Sequence, residues 1–202
     1  MKFVLASNNQ KKLKELREIL GEMGVEVISQ KEAGIHTEPE ETGTTFRENS
    51  LIKATAAMKA SNLPAIADDS GLSVDALGGR PGVYSARYGG EGLSDTERYL
   101  LLLKNMENIE DRSAKFVSCI SCAFPNGDTL DVQGECRGTI LREPRGEGGF
   151  GYDPVFFSEE AGKSMGEMTA EEKNAVSHRG KAIRAFAPVL KEYLEKRNGK
   201  ND

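Results

Sequence analysis

The chain reads as an α/β fold built on a mixed sheet, and three observations predict it. In the first third, short apolar runs alternate with helical patterns in the order strand–helix–strand–helix–strand, which is the signature of a partly parallel sheet with helices packed on it. A tight-turn pair, Asn126-Gly127, then separates two long strand-like runs and marks a hairpin, so the sheet must be mixed. No internal repeat, low-complexity run or linker divides the 202 residues, so residues 1–202 are read as one domain of two lobes rather than independent domains.

The elements follow in order. Lys2 to Ala6 is a buried strand, and Ser7 to Lys12 connects it to a helix with Leu13, Leu16, Ile19 and Leu20 on one face. That helix ends near Gly21 or Gly24, before a second strand from Val25 to Ile28. Thr45-x-x-Glu48 is a capping-box pattern that opens an Ala-rich helix to about Ala60. Ala65 to Ala67 is a third strand. Leu72 to Ala76 continues as a fourth, with Asp68-Asp69-Ser70-Gly71 between them, where an Asp turn is one of two readings. Gly78 to Gly82 is a loop, and Ser94-x-x-Glu97 caps a helix carrying Leu100 to Leu103. Ser113 to Phe124 and Thr129 to Cys136 form the hairpin, and Val155 to Phe157 is a strand after the glycine-rich stretch from Gly146 to Asp153. Thr169-x-x-Glu172 caps a short helix. Ser177 caps the last one, which carries Ile183, Phe186, Leu190 and Leu194 on one face and is expected to kink at Pro188.

Composition narrows the function. A net charge of −5 is the wrong sign for a general nucleic-acid or membrane-surface binder. No apolar run approaches the roughly 20 residues of a membrane span, and the apolar start of the chain is too short for a secretory leader. The expectation is a cytoplasmic protein. The three cysteines do not form a disulfide framework. Cys119 and Cys122 lie three apart in a strand, face opposite sides, and are read as buried structural residues.

Four polar clusters carry candidate chemistry. Ser7, Asn8, Asn9, Gln10, Lys11 and Lys12 sit at a helix start, where free N–H groups suit phosphate; ordinary N-capping is the alternative, and the Walker pattern is absent. Glu40-Glu41 is either a solvated acidic loop or a source of carboxylate for a hard cation such as Mg²⁺. Asp68-Asp69 places two carboxylates side by side after an apolar strand; they repel unless a cation or proton relieves them, and an Asp turn is the alternative. The last cluster is Phe150, Gly151, Tyr152 and Asp153 with Lys173, His178 and Arg179. Phe150 can stack on a base, Lys173 can neutralise phosphate, and Asp153, His178 and Arg179 can read a base edge. Core packing is the alternative for Phe150 and Tyr152, and a simple helix start for His178. His36 lies in no comparable context and is read as surface.

Taken together, Ser7-x-Asn9-x-x-Lys12, ADDSGL at 67–72, GGRPGVYSARY at 78–88, GGFGYDP at 148–154 and EEKNAVSHRG at 171–180 resemble the inosine triphosphate pyrophosphatase (Ham1-like) family, in its bacterial branch. The resemblance runs nearly end to end with the motifs in order. It implies an elongated two-lobed fold with a central mixed sheet and a substrate cleft, a homodimer, and Mg²⁺ dependence. The reaction it implies is hydrolysis of ITP, dITP and XTP to monophosphate and pyrophosphate. Under it, Ser7 to Lys12 hold the triphosphate. Asp69 is general base and metal ligand, with Glu41 as second metal ligand. Ser70, Phe150 to Asp153, Lys173, His178 and Arg179 bind the nucleotide. The competing class is a nucleotide-binding sensor without turnover; the intact acidic pair and the lysines favour the enzyme.

Overall fold

Alternating local signals become one seven-stranded mixed sheet in the computed structural model, which describes residues 1–199. In chain order the elements are β1 (Lys2–Leu5), α1 (Gln10–Gly21), β2 (Glu26–Ser29), α2 (Phe46–Ser61), β3 (Ala65–Val74), α3 (Asp95–Asn105), β4 (Ser113–Ala123), β5 (Thr129–Ile140), β6 (Phe156–Ser158), β7 (Lys163–Ser164), α4 (Ala170–Val176) and α5 (His178–Asn198). Strand order is β2-β1-β3-β4-β5-β6-β7. β1 runs parallel to β2 and β3, whereas β6 is antiparallel to β5 and β7.

Local chemistry explains the helix boundaries. Thr45, Ser94 and Thr169 each accept a hydrogen bond at the side-chain oxygen from the backbone N–H three residues on, and each donates its own backbone N–H to the carboxylate of Glu48, Glu97 and Glu172 respectively. Each such cap is worth about 1 kcal/mol. α5 continues through Pro188.

Two corrections concern strands. The stretch 68–71 is no turn: β3 is one ten-residue strand running through Asp68, Asp69, Ser70 and Gly71. The turn preference of Asp-Ser-Gly is local and weak, and strand pairing overrides it. β7 has two residues, too short to leave a periodic signal.

The chain forms two compact units. The first comprises Met1–Asp69, Cys119–Gln133 and the chain from Ala182 on; the second comprises Ser70–Ser118 and Gly134–Lys181. In the first, α1 and α5 pack Leu13, Leu16, Leu20, Phe186 and Leu190 against Phe3, Leu5, Ile66, Ile120 and Phe124. The other sheet face packs Val4, Ala65 and Ala67 against Ala54 and Ala57 of α2. In the second, Leu72, Val74, Leu102, Met106, Phe116, Val155, Phe156 and Met165 form the core. Each side chain of this size contributes about 1.5–3 kcal/mol on burial. Cys122 lies in the α1/α5 layer, and Cys119 faces Ser50 of α2. The two thiols thus diverge as strand geometry requires. Burial pushes both thiols up, away from reactivity.

Candidate functional site

The first group of candidate residues is organised by the alternation of β3. Successive side chains of a strand point to opposite faces, so the adjacent Asp68 and Asp69 do not share a side. Asp68 follows Ile66 onto the α1 face, where Lys12 Nζ donates to both carboxylate oxygens at 2.7 and 2.8 Å. Asp69 follows Ala67 onto the α2 face, where Lys53 Nζ donates to Oδ1 at 2.9 Å. The cations that relieve the acidic pair are therefore two lysines, one per face. Lys53 also lies 3.5 Å from Glu41.

Asp69 is poised differently from its neighbour. Its Oδ2 is buried with no hydrogen-bond partner among the described residues. Burial raises the Asp69 pKa; Lys53 opposes this, Glu41 and Asp68 reinforce it, and the net direction is upward. At Lys53 burial acts against the charge, but Asp69, with Glu41 and Asp68, outweighs it, so that pKa is raised as well. A carboxylate whose affinity for a proton is raised, with one oxygen left without a partner, has the properties of a general base.

The connection between β1 and α1 is a cap. Asn9 Oδ1 accepts from the N–H groups of Lys11 and Lys12 at 3.0 and 3.3 Å. Ser7 Oγ accepts from Asn9 N–H, and Asn8 Oδ1 from Lys31 N–H. Gln10 and Lys11 are exposed, Lys12 and Ser7 half-buried. The N-capping reading is thus realised, and several helix-start donors already have partners within the protein.

The second group is built on the loop before the 3₁₀ turn at Asp153–Val155. Asp153 is buried; its Oδ2 accepts from Phe150 N–H at 2.9 Å and from Lys173 Nζ. This tight loop requires glycine at 149: φ is +78°, and a Cβ there would lie 2.0 Å from Asp153 Oδ2. The loop thereby pushes Phe150 outward, 60% exposed, with Lys173 Nζ 4.1 Å and the Arg179 guanidinium 5.9 Å from its ring centroid. The core-packing alternative thus holds for Tyr152, not Phe150. Tyr152 is buried and donates to the Ser85 carbonyl at 2.7 Å. Gly151 N–H donates to Asp95 of α3 at 2.8 Å. His178 is buried at the start of α5, stacked on Phe116 with centroids 4.9 Å apart. Ser70, Phe150, Tyr152, Asp153, His178 and Arg98 are among the residues around a cavity of about 250 Å³. That is below the roughly 300 Å³ at which drug-sized pockets begin, so it suits a single heterocyclic base.

Among the described residues no group of three or more His, Cys, Asp or Glu side chains is arranged to hold a metal ion. A cation held mainly by substrate phosphates needs only one or two protein carboxylates. The bare Oδ2 of Asp69, with Glu41 on the same lysine, fits that need.

Four residues of these groups escape sequence reasoning: Lys53, Asp95, Arg98 and Ser85. Lys53 and Arg98 lie inside helices, and nothing local distinguishes them from solvated helix charges. Only the pairing of α2 with one face of β3 would have pointed to Lys53.

Fold and sites define a class: an α/β protein on a mixed sheet that carries a buried, lysine-held carboxylate in one unit and an aromatic-lined cavity in the other. The chain belongs to the Ham1 family, whose model matches residues 3–189. It is 50% identical over 194 residues to a dITP/XTP pyrophosphatase of Thermus thermophilus, covering 95% of this chain and 93% of that one. It is 48% identical over 190 residues to the dITP/XTP pyrophosphatase of Bacillus subtilis, covering 93% and 96%. A HAM1 protein structure from Coxiella burnetii superposes with a TM-score of 0.90 at 43% identity, covering 95% of this chain and 99% of that one. The Staphylococcus aureus Ham1 protein gives 0.88 at 42%, covering 98% and 100%.

Proposed function

We propose that this chain hydrolyses dITP and XTP, the substrates in the names of its relatives, and the ribonucleotide ITP, to the monophosphate and pyrophosphate. The observation that carries the chemistry is Asp69: buried, raised in pKa, held by Lys53 through one oxygen and bare at the other. The Asp69 carboxylate orients a water and takes its proton as the water oxygen attacks the α-phosphorus. The bond from that phosphorus to the α–β bridging oxygen breaks, and pyrophosphate leaves with the electron pair. Lys53 opposes the upward pull of burial on Asp69 and so favours its ionised form, and Lys12 fixes Asp68 behind it. Ser7 to Lys12 receive the triphosphate through Lys11, Gln10 and the Lys12 ammonium. Glu41 and Asp69 would hold Mg²⁺, which supplies charge neutralisation on the phosphates when bound.

The base belongs to the second group. Phe150 offers an open ring face for stacking, and Ser70, Gly151, Tyr152, Asp153, His178 and Arg179 surround or position it. Lys173, paired with Asp153 and over Phe150, shapes this base site. A 6-keto purine presents an acceptor to Arg179 and the backbone donors, whereas adenine presents a donor. A site built on hydrogen bonds rejects such a mismatch by up to ~10⁴–10⁵-fold. The working protein is proposed to be a cytoplasmic homodimer of this single domain.

The test is incubation with ITP and Mg²⁺, with products read by phosphorus NMR. IMP and pyrophosphate are expected. Orthophosphate with IDP overturns the bond assignment, and tight binding without turnover would make the chain a nucleotide sensor.

A further inference from the structure

Arg98 sits in the fourth position of α3, where a surface helix usually shows arginine to water. Here its side chain is only 9% exposed, and it lines the 250 Å³ cavity with Phe150, Tyr152, Asp153 and His178. Its buried Nε has no hydrogen-bond partner among the described residues. Its only ion pair among them is with Asp95, at 3.7 Å, too long for a hydrogen bond. Asp95 is itself mostly exposed and engaged by the Gly151 N–H. The guanidinium is close enough to Tyr152 that its charge opposes the upward pull of burial on that phenol. A guanidinium carries five donors and no acceptor. Buried without matched acceptors it is costly, and the cost is recovered when a ligand brings an acceptor into the cavity.

We propose that Arg98 reads the 2-position of the purine and admits xanthine while rejecting guanine. The inference rests on the proposed function above. All three 6-keto purines offer the same oxygen to Arg179, so that contact cannot separate them. They differ at the 2-position: xanthine has a keto oxygen, hypoxanthine a hydrogen, guanine an amino group. A donor-only group set in the cavity wall on α3, apart from Arg179 on α5, accepts the first, tolerates the second and opposes the third. Asp95 contributes indirectly, holding Arg98 near the wall while fixing the loop through Gly151.

The experiment measures kcat/KM for XTP, ITP and GTP, with ATP as the 6-amino reference, in the wild type, Arg98→Gln and Arg98→Lys. Glutamine brings an acceptor that can receive the guanine amino group; lysine keeps a donor-only cation. Arg98→Gln should lower the XTP/GTP ratio by about 10- to 100-fold, the size expected when a buried donor contact is matched or mismatched, with the ITP/ATP ratio moving far less. Arg98→Lys should keep most of the ratio. Equilibrium binding of XMP and GMP to the same proteins reads the same ratio without turnover. It also decides the case if Arg98→Gln folds poorly, since Arg98→Lys alone then must retain XMP preference. Loss of activity on all three nucleotides in equal proportion would make Arg98 a structural support of α3 and the loop, and overturn the proposal. A change in ITP/ATP with XTP/GTP unchanged would overturn it too, by moving Arg98 to the 6-position. Failure of the wild type to turn over ITP would instead sink the proposed function, with the XMP/GMP binding ratio still testing Arg98.

Discussion

The two units hold their charges in different ways. In the first, the carboxylates at β3 are matched: Asp68 to Lys12, Asp69 to Lys53, with Glu41 on the same lysine. In the second, Lys173 is likewise matched to Asp153, but its charge lies over an exposed phenylalanine, and Arg98 is buried with no hydrogen bond at its Nε among the described residues. A highly charged ligand needs a framework whose own charges are already fixed, so that little reorganises when phosphates arrive. A neutral base brings only ring faces and edge groups, and those are best met by surfaces left open. The first unit's arrangement thus suits a charged group, and the second's suits an aromatic ring.

The largest break in the comparison is Asp69→Asn. The amide keeps the size of the side chain and cannot take a proton from water. It removes a charge that burial disfavours but leaves Lys53 with Glu41 alone, so the two effects on stability oppose one another and the fold is retained. Turnover of ITP should fall by about 10²–10⁴-fold, the worth of general-base assistance, while nucleotide binding persists. Near-normal kcat would remove Asp69 as the base.

That prediction rests on a strand whose local sequence reads as a turn. The pair Asp68-Asp69 was legible as chemistry because two adjacent carboxylates need an explanation wherever they fall. Its geometry was not legible, because Asp, Ser and Gly prefer turns locally and only pairing of β3 within the sheet makes them extended. α2, α3 and α4 were legible because their caps are local: a Thr or Ser and a Glu three residues later. Lys53 and Arg98 were hidden for the converse reason. Their roles depend on which face of a helix meets which strand or cavity, and that information is spread over distant parts of the chain.

Next in size is the contrast between two lysines. Lys53→Met leaves Asp69 buried beside Glu41 with no cation, and removing one partner of a buried pair costs roughly 3–5 kcal/mol. Lys173→Met leaves Asp153 with the Phe150 N–H as a remaining donor, so its loss should be smaller. Chemical denaturation of the two variants ranks them. Equal losses would show that the paired and open designs do not differ in energetic terms. Combining Lys53→Met with Asp69→Asn should recover part of the loss, since no buried charge is then stranded.

Phe150→Ala sharpens the other side. The ring is 60% exposed, so little stability should be lost. Stacking on a base is worth about 1–3 kcal/mol, and it favours no particular purine. KM should therefore rise for ITP and XTP together with the ratio between them preserved. A stability loss as large as that of Lys53→Met would show that the ring is structural.

The smallest effect separates loss of activity from loss of fold in acid. Asp69 is pushed up, by burial first, so as pH falls the base is protonated above the usual aspartate value near 3.9, and turnover goes with it. Glu32, in the same unit, is held down to about 2, first by the Ser29 N–H at 2.7 Å, then by Arg17 and the Ser29 hydroxyl. A carboxylate lowered on folding adds stability that is fully present above its ordinary 4.5 and is lost as pH falls through about 2. The two groups therefore act in different windows: the catalyst fails first, while this part of the fold is still supported. Between them the protein should be folded, by circular dichroism, but inactive, and activity should return on neutralisation. Glu32→Gln removes one proton's worth of acid dependence from the unfolding curve between about pH 4.5 and 2 and raises the pH at which the fold is lost. It should leave the pH profile of ITP hydrolysis where it was, because Glu32 meets Arg17 and Ser29 and not Asp69. Should the variant move the activity profile as far as the unfolding curve, acid inactivation is unfolding, and the raised carboxylate of Asp69 is not what limits the reaction.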